Sequence, residues 1–131
     1  MRFALLLLPI LLFSDNTDDN ITNNESFLLE VEYGKMLYNN PRGISCSKCH
    51  GKEGKGGQTI AKYYDKDSNP KLLKGVNITS YTLKELKDSL NNKFINEDNH
   101  RVRHKIMPRY YLTDKEVKAI YTYLKSVRDK N

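Results

Sequence analysis

From Asp15 onward, Leu, Ile, Val and Phe together supply only 24 of 117 residues, about 21%. A chain that poor in large apolar side chains borders on the disordered class, in which burial does not offset the entropy of ordering. The whole chain has 131 residues, a length that suits one compact domain. Either part of it stays disordered, or an apolar group that is not an amino acid completes the interior. Its two cysteines exclude a multi-disulfide scaffold and a self-sufficient four-cysteine zinc ribbon. No apolar run approaches the roughly 20 residues of a membrane-spanning helix.

Both cysteines lie in one segment, Cys46-Ser47-Lys48-Cys49-His50. A C-x-x-C-H run reads as covalent attachment of a c-type haem. Two thiols at this spacing can add to the two vinyl groups on one edge of the macrocycle. The next residue, His50, then offers an imidazole as proximal ligand to the iron. Competing chemistries fit less well. A thioredoxin-like dithiol calls for a βαβ setting, and none flanks the motif. A zinc site would need His100 or His104, about 50 residues away in a basic stretch. A structural disulfide across two intervening residues is unusual. Haem also accounts for the composition, because it brings apolar surface to the core.

The first 14 residues read as an export signal, with a retained hydrophobic anchor as the alternative. Met1-Arg2 is the positive end, Phe3 to Phe13 is an apolar stretch of 11 residues, and Ser14 offers a small residue for cleavage. Residues 15–25 read as a polar acidic linker or tail without hydrophobic periodicity. The working domain is expected over residues 26–131. A first helix runs from about Ser26 to Asn39, with Phe27, Val31, Gly34 and Tyr38 on one face, and Pro41 and Gly43 stop it. Thr82-Leu83-Lys84-Glu85 is a capping-box pattern opening a second helix to about Asn92, with Leu83, Leu86 and Leu90 inward. Thr113-Asp114-Lys115-Glu116 opens a third, with Val117, Ile120, Tyr121 and Leu124 on one face. No convincing alternating strand is visible. The expectation is a small all-α domain of three to four helices with long loops.

A low-spin haem needs a sixth ligand, and the candidates are Met36, His100, His104 and Met107. Met36 falls inside the first helix, where packing is its expected role. Met107 leads: Pro108 fixes the backbone beside it, and the loop then enters the helix at Thr113. His104 is the competitor, since imidazole also binds haem iron, with His100 behind it and an open or water-ligated iron as a further alternative. His100 and His104 could instead pair on a metal ion, but their basic surroundings suit a solvated loop. Tyr110 and Tyr111 are expected to pack on the haem or bond a propionate.

In the order of these features the chain resembles the class I c-type cytochromes, of the small, soluble, monohaem kind. The matching features are a first helix with Gly34 and Tyr38, Cys46 to Gly51, Met107-Pro108-Arg109-Tyr110-Tyr111-Leu112-Thr113-Asp114, and a last helix with Ile120 and Tyr123-Leu124-Lys125. The resemblance covers roughly Ser26 to Val127. It implies a cytochrome c fold around one covalent haem, with Gly34 approached by Ile120 and Tyr123 where the first and last helices cross. It also implies a proline–glycine loop whose carbonyl receives the ring N–H of the proximal histidine. Asn69 to Gly75 resembles that loop, with Pro70 as the acceptor and Leu72 or Leu73 against the haem; an ordinary turn is the alternative.

An iron bound by both His50 and Met107 has no vacant position for substrate, so the leading function is one-electron transfer rather than catalysis. The alternatives are a haem enzyme or ligand sensor with an open distal site, and a fixed subunit of a respiratory complex. The export signal places the protein in the periplasm. From Tyr33 onward there are 21 basic and ten acidic residues, a net of +11. The expected partners are redox proteins with acidic docking surfaces, an oxidase, peroxidase or quinol-oxidising complex, and not nucleic acid. Lys48, Lys52, Lys55, Arg103, Lys105 and Arg109 are near the haem in sequence and are expected to ring its edge.

Overall fold

The structure, a computed structural model, describes residues 21–130, with side chains from Leu29 onward. Residues 1–14, expected to be an export signal, and residues 15–20 of the acidic stretch lie outside the described residues. Four helices are present among those described: α1 (Ile21–Asn39), α2 (Cys46–His50), α3 (Leu83–Leu90) and α4 (Asp114–Arg128). Helix α1 begins upstream of the Ser26 expected from the sequence, so Ile21 to Glu25, in the stretch read as a linker or tail, are helical. Extending an established helix costs far less than nucleating one, so polar residues without periodicity can be carried at its end.

The core is thin and is built around α4. Thirteen apolar residues are buried among those described, and six of them (Val117, Ala119, Ile120, Tyr123, Leu124 and Val127) come from this one helix. Its main neighbour is α1, which contributes Leu37 and the fully buried Tyr38. The two helices meet at Gly34, where a Cβ would run into the carbonyl of Ala119 and lie 3.0 Å from Tyr123 Cβ. Only glycine permits that approach. Tyr123 is thus the partner expected, and the other is Ala119, one position away from the expected Ile120. Phe27's side chain lies outside the described residues, and Met36, expected to pack, is 58% exposed. Helix α3 packs on α4 through Leu86 and Leu90, with Leu83 left exposed beside the cap. Both capping boxes form: Thr82 with Glu85, and Thr113 with Glu116.

The chain is not all helix. Two antiparallel hairpins, β1 (Thr59–Tyr64) with β2 (Pro70–Lys74) and β3 (Phe94–Ile95) with β4 (Arg101–Val102), correct that expectation. The first turns on Asp65, whose Oδ1 accepts from the N–H of Asp67 (3.0 Å) and Asn69 (2.9 Å). Period-two alternation marks a strand with one buried face. Here most hairpin side chains are exposed on both faces, so no alternation is required.

One ion pair ties the loop before α2 to the start of α4. Arg42 Nη1 and Nη2 donate to Glu116 Oε1 (2.6 Å) and Oε2 (3.0 Å), and Nη2 also donates to the Tyr111 carbonyl (3.1 Å). Glu116 Oε2 additionally accepts from the Thr113 N–H at 2.7 Å. The Arg42 guanidinium first, then the Thr113 N–H, hold the Glu116 carboxyl down from its ordinary 4.5 to about 2. A carboxyl whose pKa is depressed by folding stabilises while ionised. That contribution is complete above about pH 4.5 and is lost as the pH falls toward 2. Glu116→Gln is expected to lower the melting temperature near neutral pH, with the gap to wild type closing across that window. Melting curves of both proteins against pH check this, and a gap unchanged on acidification would contradict it.

Candidate functional site

The C-x-x-C-H segment folds as the short helix α2, and tyrosine hydroxyls pin the chain on both sides of it. Tyr110 donates to the carbonyl of Ile44 (2.6 Å) just before α2. After it, Tyr38 donates to Gly51 (2.6 Å) and Tyr123 to Lys52 (3.1 Å). Burial pushes the Tyr110 hydroxyl up to about 12 and raises those of Tyr38 and Tyr123 as well. Tyr38 and Tyr110 therefore stay protonated donors through the ordinary pH range. These three bonds are a use for tyrosine that the sequence reading missed.

His50 is oriented from the other side. Its Nδ1 lies 2.9 Å from the carbonyl oxygen of Val76. That contact assigns the ring proton to Nδ1 and leaves the Nε2 lone pair for a metal. The acceptor is thus Val76 and not Pro70. Pro70 opens β2 opposite Tyr64, at the far end of the hairpin. The strand must run to Lys74 before the chain comes back to α2. Gly75 makes the return possible, because a Cβ there would overlap the carbonyl of Cys49. Leu73 lines the cavity beside this segment, whereas Leu72 is exposed.

That cavity, of about 310 Å³, brings Cys46, Cys49, His50 and Met107 together. Its other walls are mostly apolar and come from several elements, including Ile60 of β1, Leu73 of β2, Leu86 of α3 and Ile120 of α4. The volume falls within the ~300–1,000 Å³ typical of cofactor sites. His104 also lines it; His100 and Met36 do not. Its Tyr110 wall fits the expectation of packing on the cofactor, but Tyr111 is 79% exposed and lies under the Arg109 guanidinium, 5.1 Å from the ring centroid. The two cysteines are not joined in a disulfide, and burial pushes the Cys46 thiol up to about 11. A dithiol exchanger needs the opposite, a thiol with a depressed pKa. Among the described residues, no three His, Cys, Asp or Glu side chains come together as a group that could hold a metal ion.

Two thiols and an imidazole on one apolar cavity are the groups that a covalently attached haem requires, and Met107 brings a thioether to the same cavity. The family model described as Cytochrome c matches residues 31–128. The chain belongs to the cytochrome c family. Neither the curated proteins nor the solved structures gave a match. Membership carries the cytochrome c fold, covalently attached haem c and haem-based electron transfer, with Cys46 and Cys49 at the attachment spacing. Replacing both by alanine is expected to abolish covalent haem and leave the chain largely unfolded. A denaturing gel stained for haem checks this: the wild-type band should stain and the variant should not.

Proposed function

We propose that the chain is an exported one-electron carrier in which His50 and Met107 are the axial ligands of its haem c. The observation that carries this reading is the convergence of His50 and Met107 on the cavity that both cysteines line. When bound, haem c supplies a one-electron Fe(III)/Fe(II) couple. His50 is held by Val76 with Nε2 available. Met107 is half-buried, in a loop whose next residue is a proline. His104, the rival ligand, already uses Nδ1 to accept the N–H groups of Ile106 (3.2 Å) and Met107 (3.0 Å). With both axial positions filled by the protein, substrate has no point of entry, which favours a carrier over an enzyme. The test is the oxidised spectrum. A low-spin haem with the weak near-infrared methionine-to-iron band is expected. Met107→Ala should abolish that band and admit exogenous ligand, while Met107→His should stay low-spin at a lower potential. A high-spin wild type would favour the open-site enzyme or sensor.

The carrier would work in the periplasm, addressed there by residues 1–14. No helix among the described residues is long and apolar enough to cross a membrane. Its partners would be acidic redox proteins of a respiratory chain. Charge supports this: Lys48 lines the cavity, and Lys93, Arg101, Arg103 and Arg109 line a neighbouring groove of about 580 Å³. Lys55 is paired with Glu53 at 2.8 Å, so its share in any docking field is reduced. Steered association gains ~10–1,000-fold in rate at low salt and loses it as the Debye length contracts from ~10 Å at 0.1 M to ~3 Å at 1 M. Oxidation by an acidic partner protein should therefore slow steeply with ionic strength in wild type and less so in the double variant Lys48→Glu, Arg109→Glu. Identical, flat salt profiles would remove the docking proposal.

A further inference from the structure

Between α3 and Met107 the chain makes a detour through the β3–β4 hairpin, and two polar side chains close it. Asn92 sits just past the end of α3 at φ 55, in the left-handed region that asparagine tolerates better than most residues. Its Nδ2 donates to the carbonyls of His104 (3.2 Å) and Met107 (2.9 Å), and its Oδ1 accepts from the His104 N–H (2.6 Å). Donor and acceptor lie side by side in an amide, so the side chain of Asn92 completes a rung that a peptide group of a neighbouring strand would otherwise make. His104 then turns its ring toward the next residues. Its Nδ1 accepts the N–H of Ile106 at 3.2 Å and of Met107 at 3.0 Å. The Phe94 ring of β3 lies 5.2 Å from the imidazole.

Both backbone polar atoms of Met107 are thus gripped by side chains, the N–H by His104 and the C=O by Asn92. Apolar burial contributes little locally, because His104 and Ile106 are exposed and Met107 is only half-buried. We infer that Asn92 and His104 are positioning residues that fix the Met107 backbone and so set the strength of its bond to the haem iron. The inference rests on Met107 being the sixth ligand. A methionine on an unfixed loop would pay the entropy of ordering that loop each time its sulfur bound.

Four variants of the holoprotein test it. Asn92→Gly keeps the positive φ and removes the amide, and His104→Leu removes the ring acceptor. His104→Asn restores an acceptor, since an asparagine Oδ1 can take N–H groups two residues on in an Asx turn. Asn91→Ala, which loses only a bond to the Lys87 carbonyl, is the control. The readouts are the near-infrared methionine band, the reduction potential and the apparent affinity of the oxidised protein for imidazole. Asn92→Gly and His104→Leu are expected to weaken or abolish the band, lower the potential and tighten imidazole binding on the order of tenfold. His104→Asn should return most of each property, and Asn91→Ala should match wild type. If Met107→Ala abolishes the band while Asn92→Gly and His104→Leu leave all three readouts at wild-type values, the positioning role is overturned and the ligand assignment stands. A band that survives Met107→Ala overturns the ligand assignment, and the positioning role with it.

Discussion

The close approach of α1 and α4 at Gly34 sets the position of everything between them. Gly34 and Ala119 are 85 positions apart in sequence, yet their backbones touch. One turn beyond that point, Tyr38 of α1 and Tyr123 of α4 lie with ring centroids 5.4 Å apart and reach to Gly51 and Lys52. The same helix pair therefore fixes the exit of the C-x-x-C-H helix. At its other end, Glu116 of α4 holds Arg42, which precedes that helix, and caps Thr113, which ends the Met107 loop. The two halves of the candidate site are hung from one helix crossing.

What holds the intervening loops is polar. Tyrosine suits a chain short of aliphatic residues, because it buries a large ring and still delivers a hydroxyl to a backbone carbonyl. Each such bond nets only about 0.5–1.5 kcal/mol, but leaving a buried carbonyl without a donor costs about 1–3 kcal/mol. The three tyrosines flanking α2, Asp65 in the first hairpin, and Asn92 with His104 in the second follow one pattern: a side chain satisfies a loop's backbone where no neighbouring strand does. Such bonds demand a definite geometry, so they specify loop conformation more sharply than they stabilise the fold.

This division explains which features can be read from the sequence. The capping boxes at Thr82 and Thr113 are legible because each is a four-residue chemistry complete in itself. Val117, Ile120 and Leu124 are legible because α4 buries one face and leaves the other in water. Cys46, Cys49 and His50 are legible because attachment chemistry fixes their spacing. The hairpins are not, since strands exposed on both faces need no alternation. Val76 is not, since every residue carries a carbonyl and only the return of the chain at Gly75 selects this one. The proline–glycine resemblance therefore locates the right glycine and the wrong acceptor. His104 is legible as a residue that belongs at the site, but not as one that faces the backbone of Met107, because that depends on the hairpin bringing it back to Asn92.

The two sides of the cavity are secured by different means. On the cysteine side, covalent attachment through Cys46 and Cys49 fixes haem c to α2, Tyr38 and Tyr123 tie the end of α2 to the helix pair, and Gly75 packs against Cys49. On the methionine side, the loop is joined to the rest by Asn92, His104 and the Tyr110 N–H, which donates to the Leu90 carbonyl at 2.8 Å. Local openings draw on regions with few apolar contacts and exposed hydrogen bonds. The segment from Asn92 to Met107 meets that description, whereas α2 does not. On the proposed ligation, opening of this segment would release the methionine first and leave histidine and thioethers in place. On that reading the carrier would keep its cofactor when this segment opens, and the hydrogen bonds to Met107 would set how often the iron loses its methionine.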